Sequence, residues 1–237
     1  MTSTQAIKIF SNNLKLQSIN LSKCKPVSCP TSENEDETKP VSQKVEVRRT
    51  AKQLTLVCGL PKSGKTSFIG VLTALNNLNT AESYANLHNI NIKKAYKQIL
   101  DSGKDFVFEC HSVNDEKDEI VLQAIEKGYV VNTYYISTDT VSKNIVRLEN
   151  SINDFSAAEL FEMYKSQDKI LAWLKDISNK IIFFDNTETF QKVGVYSDNK
   201  FSFDDYANSS WLDDIAKAVF GVDRQIEKPF FELAFLK

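Results

Sequence analysis

The chain has 237 residues, which is enough for one α/β domain with a flanking segment or for two small domains. Hydrophobic residues make up 42% and charged residues 25%, the composition of a globular protein with a core. The net charge of −2 argues against a general affinity for nucleic acid or for an anionic membrane. The sequence also lacks the run of about 18 apolar residues that a membrane span needs.

Residues 1–50 predict a polar, flexible leader and linker. Three of the five prolines fall here, and residues 31–44 are polar and acidic with few apolar side chains. Such a segment cannot bury enough surface to offset the entropy that is lost on ordering. Residues 1–32 have no apolar secretory core, but they carry four lysines and no acid. An organellar transit peptide is therefore the alternative to a plain extension.

The four cysteines are spread along the chain without a Cys-x-x-Cys pair. Cys58 and Cys110 end apolar runs, where a free cysteine behaves as a small buried hydrophobe. Cys24 and Cys29 lie in the leader, and their spacing leaves a disulfide or a metal site open. This cysteine usage favours a reducing compartment, and we expect a cytoplasmic protein.

From residue 51 to residue 221 strands and helices alternate, and a tail follows at 222–237. Apolar runs predict four strands, at 53–58, 105–109, 130–137 and 180–185. Strands separated by helices indicate a parallel sheet with right-handed crossovers. Because sites of such sheets lie beyond the carboxyl ends of the strands, we expect the four following loops to surround one crevice.

Local signals set several of the predicted boundaries. Gly103 ends a helix where a left-handed residue is wanted. Thr138 is predicted to start another, and a capping box opens one long helix over residues 156–174. A hairpin is predicted around Asp198-Asn199, and a last helix over residues 211–220.

The sequence Gly59-Leu60-Pro61-Lys62-Ser63-Gly64-Lys65-Thr66 fits the P-loop pattern at every fixed position, with a predicted strand before it and a predicted helix after it. The two glycines allow positive φ angles and a close approach to phosphate. The N–H groups of residues 62–66 would then solvate the anion at a helix N-terminus. We expect Lys65 to contact the β- and γ-phosphates of ATP and Thr66 to bind Mg²⁺, with the binding segment extending to Ser67.

Other sequence features narrow the class of P-loop protein. A GTPase needs Asn-Lys-x-Asp after a strand, and Asn179-Lys180-Ile181-Ile182 lacks the acid. A motor or transport ATPase ends an apolar strand with Asp-Glu, whereas the strand at 105–109 ends in Glu109 alone. We therefore predict a P-loop NTPase fold, a three-layer αβα sandwich with a mainly parallel sheet. A nucleotide-kinase-like small-molecule kinase is the simplest fit.

Four features in chain order resemble the zeta toxin family of kinases. They are Glu109 before a helix, the sequence Lys127-Gly128-Tyr129, Arg147 on a helix, and Asp185-Asn186 after a strand. The resemblance covers residues 53–220. It implies a fold similar to that of nucleotide kinases and transfer of the ATP γ-phosphate to a hydroxyl of a UDP-activated amino sugar. It also implies an antitoxin-like protein as a partner beside the small-molecule acceptor.

The resemblance assigns roles to individual residues. Glu109 matches the strand-end acid that holds substrate or helps position magnesium, with a solvated acid as the alternative. Arg147 matches the first arginine of the lid region, which stabilises charge on the transferring phosphoryl group; a solvated helix charge is the alternative. Asp185-Asn186 either touches the nucleotide base or forms an Asx turn.

Two departures from the family pattern bear on turnover. Tyr164 follows Met163 where a second lid arginine is expected, and Lys165 offers a point charge in place of a bidentate fork. The family's aspartate that accepts the proton of the acceptor hydroxyl is also missing. Glu82 is the one carboxylate between residues 66 and 99, in a polar stretch where no strand is predicted. Glu82 is therefore the candidate base.

Three functions are open from the sequence. The first is an ATP- and Mg²⁺-dependent kinase that acts on a small-molecule hydroxyl, with a nucleotide sugar as one acceptor class. The second is a nucleotide-binding regulatory protein, or pseudokinase, with weak or no turnover, whose leader or tail engages a partner. The third is a stand-alone ATPase.

Overall fold

The computed structural model of the chain describes residues 51–76, 78–110, 115–150, 155–204 and 209–224. The predicted leader and the tail beyond residue 224 lie outside these ranges. The strands of the described part are β1 (Gln53–Cys58), β2 (Asn79–Thr80), β3 (Phe106–Cys110), β4 (Val130–Ser137), β5 (Lys180–Asp185), β6 (Gln191–Ser197) and β7 (Lys200–Phe203). The helices are α1 (Lys65–Asn76), α2 (Ala81–His88), α3 (Ile92–Ser102), α4 (Asp115–Glu126), α5 (Val141–Glu149), α6 (Ala157–Lys165), α7 (Gln167–Ile177) and α8 (Ser210–Ile215), with a π-helical turn at Ala216–Phe220.

The strands form one sheet in the order β2-β3-β1-β4-β5-β6-β7. The first five strands are parallel, and β6 and β7 are antiparallel additions at one edge. The chain leaves β1 toward β2 and β3 on one side and returns to β4 on the other. The loop after β1 therefore lies at the point where the strand order reverses, which is where open α/β sheets bind ligands.

Helices cover both faces of the sheet. On one face the Phe68 ring of α1 lies 5.0 Å from Tyr134 and 5.2 Å from Phe184, measured between ring centroids. The neighbouring strand residue Tyr135 points to the other face, where its ring lies 6.3 Å from that of Trp211. Because successive strand residues point to opposite faces, these contacts define two helical layers. The predicted α/β sandwich with a mainly parallel sheet is confirmed.

Several predicted boundaries are present in the structure. Gly103 ends α3 with a φ of 65°, and a capping box opens α6 at Ser156. Asp198 and Asn199 connect β6 and β7 with φ angles of 51° and 58°. Two consecutive left-handed residues suit the tight turn that joins antiparallel strands.

The long helix predicted over residues 156–174 is wrong, because the chain breaks at Ser166 into α6 and α7. The Ser166 hydroxyl donates to the Met163 carbonyl at 3.0 Å, a back-bond that competes with helix continuation. The second helix then starts with buried Gln167, whose side-chain oxygen accepts from the Tyr135 hydroxyl at 3.1 Å. The contact between Gln167 and Tyr135 of β4 therefore accounts for where the second helix begins.

Two other local predictions are corrected. Thr138 does not start a helix: α5 begins at Val141, and the Thr138 hydroxyl contacts the buried Asn144 side chain. The stretch before Glu82 contains the two-residue strand β2, which pairs parallel with β3. Two polar residues have no apolar pattern that would predict a strand. They form one only through their pairing with β3.

None of the helices in the described ranges has the length and hydrophobicity that a membrane crossing requires.

Candidate functional site

The P-loop joins β1 to α1 in a conformation that needs its glycines. Gly59 and Gly64 have φ angles of 134° and 102°, and Lys62 has a φ of 64°. A Cβ atom on Gly59 would lie 2.0 Å from the Ile136 carbonyl oxygen. A Cβ atom on Gly64 would lie 2.4 Å from Nδ2 of Asn186. Glycine is therefore required at both positions, because the loop packs too closely against its neighbours to leave room for a side chain.

Four consecutive P-loop carbonyl groups, at residues 60–63, accept hydrogen bonds from side chains. In chain order the donors are Lys65 Nζ (2.6 Å), Asn144 Nδ2 (2.9 Å), Arg147 Nη1 (3.3 Å) and Asn186 Nδ2 (2.7 Å). The C=O and N–H groups of a trans peptide point in opposite directions. Holding the carbonyls of residues 61–63 therefore turns the N–H groups of Lys62 and Gly64 away from the donors, as an anion-binding loop requires.

Side chains of α1 and β3 converge beside this loop. The Lys65 side chain is buried, and its Nζ lies 3.9 Å from Oε1 of Glu109. The Thr66 hydroxyl lies 3.5 Å from Oε2 of the same carboxylate. The convergence follows from the sheet, since β3 pairs with β1 and aligns Glu109 with Val57, two residues before Gly59. Lys65, Thr66 and Glu109, all predicted from the sequence, thus lie together.

The residues of this group fit a polyphosphate with a magnesium ion. The Ser63 hydroxyl is fully buried and has no hydrogen-bond partner within the described residues. Hydroxyl and carboxylate oxygens, such as those of Thr66 and Glu109, are the ligands that Mg²⁺ prefers, and Mg²⁺ commonly takes one or two protein ligands with the rest from phosphate and water. Across the described ranges, no cluster of three or more His, Cys, Asp or Glu side chains could hold a metal ion.

Arg147 contacts the P-loop from α5. Its guanidinium donates to the Lys62 carbonyl, and also to the Asn186 and Thr187 carbonyls at 2.7 and 3.1 Å. It is therefore not a solvated helix charge, and its described contacts are with backbone oxygens. The role of Arg147 at a phosphoryl group stays a prediction.

Asp185, the last residue of β5, and Asn186, which follows it, make different contacts. Asp185 accepts from the Thr187 N–H at 2.7 Å, which is the Asx turn foreseen as one alternative. Its second carboxylate oxygen accepts from Trp211 Nε1 at 2.7 Å, so this carboxylate has a structural role. Asn186 instead reaches the P-loop carbonyl of Ser63. Nothing in the sequence indicates the contacts of Asn144 and Asn186, because 83 and 123 residues separate them from their P-loop partners.

Glu82 and Glu109 line the same cavity, which has a volume of about 850 Å³. Glu82 lies in the first turn of α2, directly after β2, and β2 is the neighbour of β3 in the sheet. The parallel pairing brings the ends of both strands to one edge. The candidate base thus borders the space beside the P-loop, although the strand that places it was not predicted.

Tyr96 is a cavity residue that the sequence does not reveal. It occupies an apolar position of α3 and is only 6% exposed, and its ring lies 5.2 Å from Phe108 in an edge-to-face contact. Burial raises the pKa of its hydroxyl well above the usual range, and the negative charges of Glu82 and Glu109 raise it further. The hydroxyl therefore stays protonated and lies within the field of both carboxylates.

Lys165, the possible substitute for a second lid arginine, is not brought to this group. Its ammonium lies 2.8 Å from Glu162 and 4.7 Å from the centre of the Phe161 ring, both on its own helix α6.

No protein-family model matches the chain, and no curated protein does. Distant solved structures match. The AvrRxo1-ORF1:-ORF2 complex is 13% identical over 75% of this chain and 66% of that chain, with a TM-score of 0.46. The PezAT chromosomal toxin–antitoxin system of Streptococcus pneumoniae is 14% identical over 96% and 92%, with a TM-score of 0.41. A sugar kinase from Janibacter sp. HTCC2649 is 16% identical over 56% and 85%, with a TM-score of 0.35.

Similarities this distant carry no argument about activity. The fold rests on the chain itself, in which a P-loop follows the central strand of a sheet ordered β2-β3-β1-β4-β5 with helices on both faces. The described part of this chain has an α/β fold with a mainly parallel sheet, in which a P-loop follows the central strand.

Proposed function

We propose that the chain binds ATP with Mg²⁺ at residues 59–67 and transfers the γ-phosphoryl group to a hydroxyl of a small molecule. The observation that carries this proposal is the convergence of Lys65 and Thr66 on Glu109, which also lines a cavity of about 850 Å³. Ligand pockets commonly have volumes of about 300–1,000 Å³. Phosphoryl transfer relies mainly on positioning and electrostatics, which such a group can provide.

Each residue has a defined part in this proposal. The P-loop segment from Pro61 through Ser67 would surround the phosphates, with the N–H groups of Lys62 and Gly64 among its donors, and Lys65 would contact the β- and γ-phosphates. Thr66 and Glu109 would hold Mg²⁺, which neutralises charge on the phosphates. Bound ATP would supply the phosphoryl group, which the acceptor oxygen takes as the bond to the β-phosphate breaks and ADP leaves. Glu82 would accept the proton of that hydroxyl.

The zeta toxin resemblance supports a more specific version of the proposal. It favours a nucleotide sugar as one acceptor class and a protein partner of the antitoxin kind. The cysteine usage favours a cytoplasmic location. The PezAT structure is that of a toxin–antitoxin system, but the similarity is too distant to transfer a partner.

A second function, a nucleotide-binding regulatory protein with weak or no turnover, is favoured by the arginines. Of the two arginines that the structure describes, Arg147 donates to three backbone carbonyls and Arg224 pairs with Asp213 at 3.3 Å. These contacts engage both guanidinium groups with the protein itself. A kinase whose arginines remain engaged in this way would have fewer cations to stabilise the transferring phosphoryl group.

Product analysis distinguishes the two functions. We expect the full chain with Mg·ATP and a panel of hydroxyl-bearing acceptors to yield a product 80 Da heavier by mass spectrometry, the mass that a phosphoryl group adds. Lys65→Ala should abolish this product, and the exposed Lys169→Ala on α7 should not change it. A wild-type chain that binds ATP and phosphorylates no acceptor would exclude the kinase and leave the regulatory function.

A further inference from the structure

Lys62 occupies a P-loop position whose backbone conformation is unfavourable for a lysine. Its φ of 64° lies in the left-handed region, which glycine enters at little cost and most other residues rarely enter. The other non-glycine residues with positive φ in the described ranges are Asn89, Asp198 and Asn199, which are of the two types that tolerate this region best. The backbone conformation therefore does not explain why a lysine occupies this position.

Contacts from other segments hold the backbone of Lys62 in this conformation. Its carbonyl accepts from Arg147, and the carbonyls on either side accept from Asn144 and Asn186. Backbone strain persists where the surrounding structure holds it, and strained residues are concentrated at active sites and ligand clamps. The strain at Lys62 therefore points to a function of the loop.

The Lys62 side chain takes no part in holding the loop. It is half-buried, and no hydrogen bond, ion pair or ring contact joins it to another residue of the described ranges. Its backbone N–H group is turned away from the side chains that hold the carbonyls, toward the place of a bound anion. Because the side chain starts one atom from that N–H group, its long, flexible stem can bring the ammonium to the same anion.

The neighbouring residue Ser63 provides an independent sign of a ligand in the loop. Its hydroxyl is fully buried and has no hydrogen-bond partner within the described residues. A buried hydroxyl is normally paired, and one left without a partner is costly. A phosphate oxygen in the loop can supply the missing partner, and it also accepts charge-assisted hydrogen bonds from an ammonium group.

Phosphoryl transfer requires positive charge at this place, because negative charge is spread over the three oxygens of the γ-phosphoryl group. The Lys65 ammonium lies 3.9 Å from Glu109, which offsets part of its charge. Arg147 donates to backbone carbonyls, and Lys165 pairs with an acid on its own helix. Of these cations and Lys62, Lys62 is the one whose side chain contacts no described residue.

We propose that the Lys62 ammonium contacts the γ-phosphate of bound ATP and stabilises the charge on the phosphoryl group during transfer. Lys62 then performs, from within the P-loop, the role that the resemblance assigns to an arginine of the lid region. The inference rests on the proposed function and adds a catalytic residue to it. Because ADP has no γ-phosphate, the contact also favours ATP over ADP.

Replacing Lys62 with glycine removes the charge and leaves a residue that suits the backbone. Since glycine accepts a φ of 64°, the Lys62→Gly variant should unfold in urea at a midpoint no lower than that of the wild type. We expect its affinity for a non-hydrolysable Mg·ATP analogue to fall about 10-fold or more, the loss of a hydrogen bond to a charged group. Its affinity for Mg·ADP should change less than about 2-fold, as measured by calorimetry on the full chain.

Asp198→Gly is the matched control, because it makes the same replacement at a left-handed residue in the turn between β6 and β7. It should bind both nucleotides as the wild type does. A Lys62→Gly variant that loses affinity for the ATP analogue and for ADP equally, or for neither, overturns the γ-phosphate contact.

The rate of transfer to the acceptor panel at saturating Mg·ATP is the second measurement. Lys62→Gly should be about 10-fold to 100-fold slower than the wild type. Lys62→Arg should recover the rate to within about 5-fold, because arginine keeps the positive charge and has donors that match phosphate oxygens. A Lys62→Arg variant as slow as Lys62→Gly would overturn the role of the charge.

The binding measurement separates this inference from the proposed function, because it requires no turnover. Loss of the preference for the ATP analogue in Lys62→Gly, with no phosphorylated product from the wild type, would uphold the γ-phosphate contact and overturn the kinase. Phosphorylation by Lys62→Gly at the wild-type rate would uphold the kinase and overturn the catalytic role of Lys62.

Discussion

Glu109 connects the nucleotide side of the site to the acceptor side. Its two carboxylate oxygens lie near the Lys65 ammonium and the Thr66 hydroxyl, and the residue also borders the cavity. The side chain is 25% exposed, so it is accessible to a magnesium ion without being fully solvated. A single strand-end acid can therefore serve both ligands.

Replacing Glu109 with Gln tests this position with little change in shape. We expect Mg²⁺-dependent phosphoryl transfer to fall about 10-fold to 100-fold, the usual cost of altering a residue that holds or supports a metal. The apparent affinity for Mg²⁺ should fall with it, as measured by titrating Mg²⁺ at fixed ATP. Glu162→Gln, which removes an exposed carboxylate on α6, is the charge-matched control. Equal Mg²⁺ dependence in both variants would remove Glu109 from the metal site.

Gly64 is the P-loop residue whose replacement has the clearest steric result. A methyl group there would approach Asn186 Nδ2 to 2.4 Å and the Phe190 ring to 2.9 Å, at a φ of 102°. We expect Gly64→Ala to lose ATP binding and to lower the free energy of unfolding by about 1–3 kcal/mol. Gly70→Ala is the control, because Gly70 lies in α1 with nothing within 4 Å of its added methyl. It should raise the free energy of unfolding by about 0.5–1 kcal/mol. Urea unfolding measures both variants, and a Gly64→Ala variant more stable than the Gly70→Ala variant would contradict the loop geometry.

At the scale of elements, α5 and the loop after β5 hold the P-loop from outside. We call Asn144, Arg147 and Asn186 the P-loop brace, because each donates to one carbonyl of residues 61–63. The brace joins three segments that are distant in sequence. The P-loop brace holds the loop in one conformation before a ligand binds. Such preorganisation lowers the free-energy cost of ordering the loop on binding.

Arg147→Lys tests the P-loop brace, because a lysine cannot reproduce the fork that reaches three carbonyl oxygens. Hydrogen bonds to charged groups contribute about 1.5–3 kcal/mol each. We therefore expect the dissociation constant for Mg·ATP to rise about 10-fold or more, as measured by calorimetry. Lys143→Ala on the same helix is the control: its ion pair with Glu188 is on the surface, and such pairs contribute little. Unchanged ATP affinity with slower transfer would instead assign Arg147 to the phosphoryl group.

At the scale of the whole molecule, the sequence predicted the parts of the site that local patterns encode. The P-loop, the four parallel strands and the Asp198-Asn199 turn have patterns of their own. Strand β2 has none, since its two polar residues pair only because β3 lies beside them. The brace amides and Tyr96 were also not predictable, because an Asn at a loop and a Tyr at an apolar helix position look ordinary until distant segments meet.

The order of the strands in the sheet explains how the site residues come together. Placing β1 between β3 and β4 brings the P-loop beside Glu109 and within reach of α5, while β2 carries Glu82 to the same edge. The central claim is that this arrangement binds ATP and passes its terminal phosphoryl group to an acceptor in the neighbouring cavity.

The most direct measurement follows the label of γ-³²P-ATP in the full chain with Mg²⁺ and the acceptor panel. We predict that label accumulates in an acceptor product faster than in inorganic phosphate, and that the Lys65→Ala variant forms neither. Label found only in inorganic phosphate would indicate an ATPase, and label left entirely in ATP would indicate a chain that binds nucleotide without turnover. Either result would contradict phosphoryl transfer.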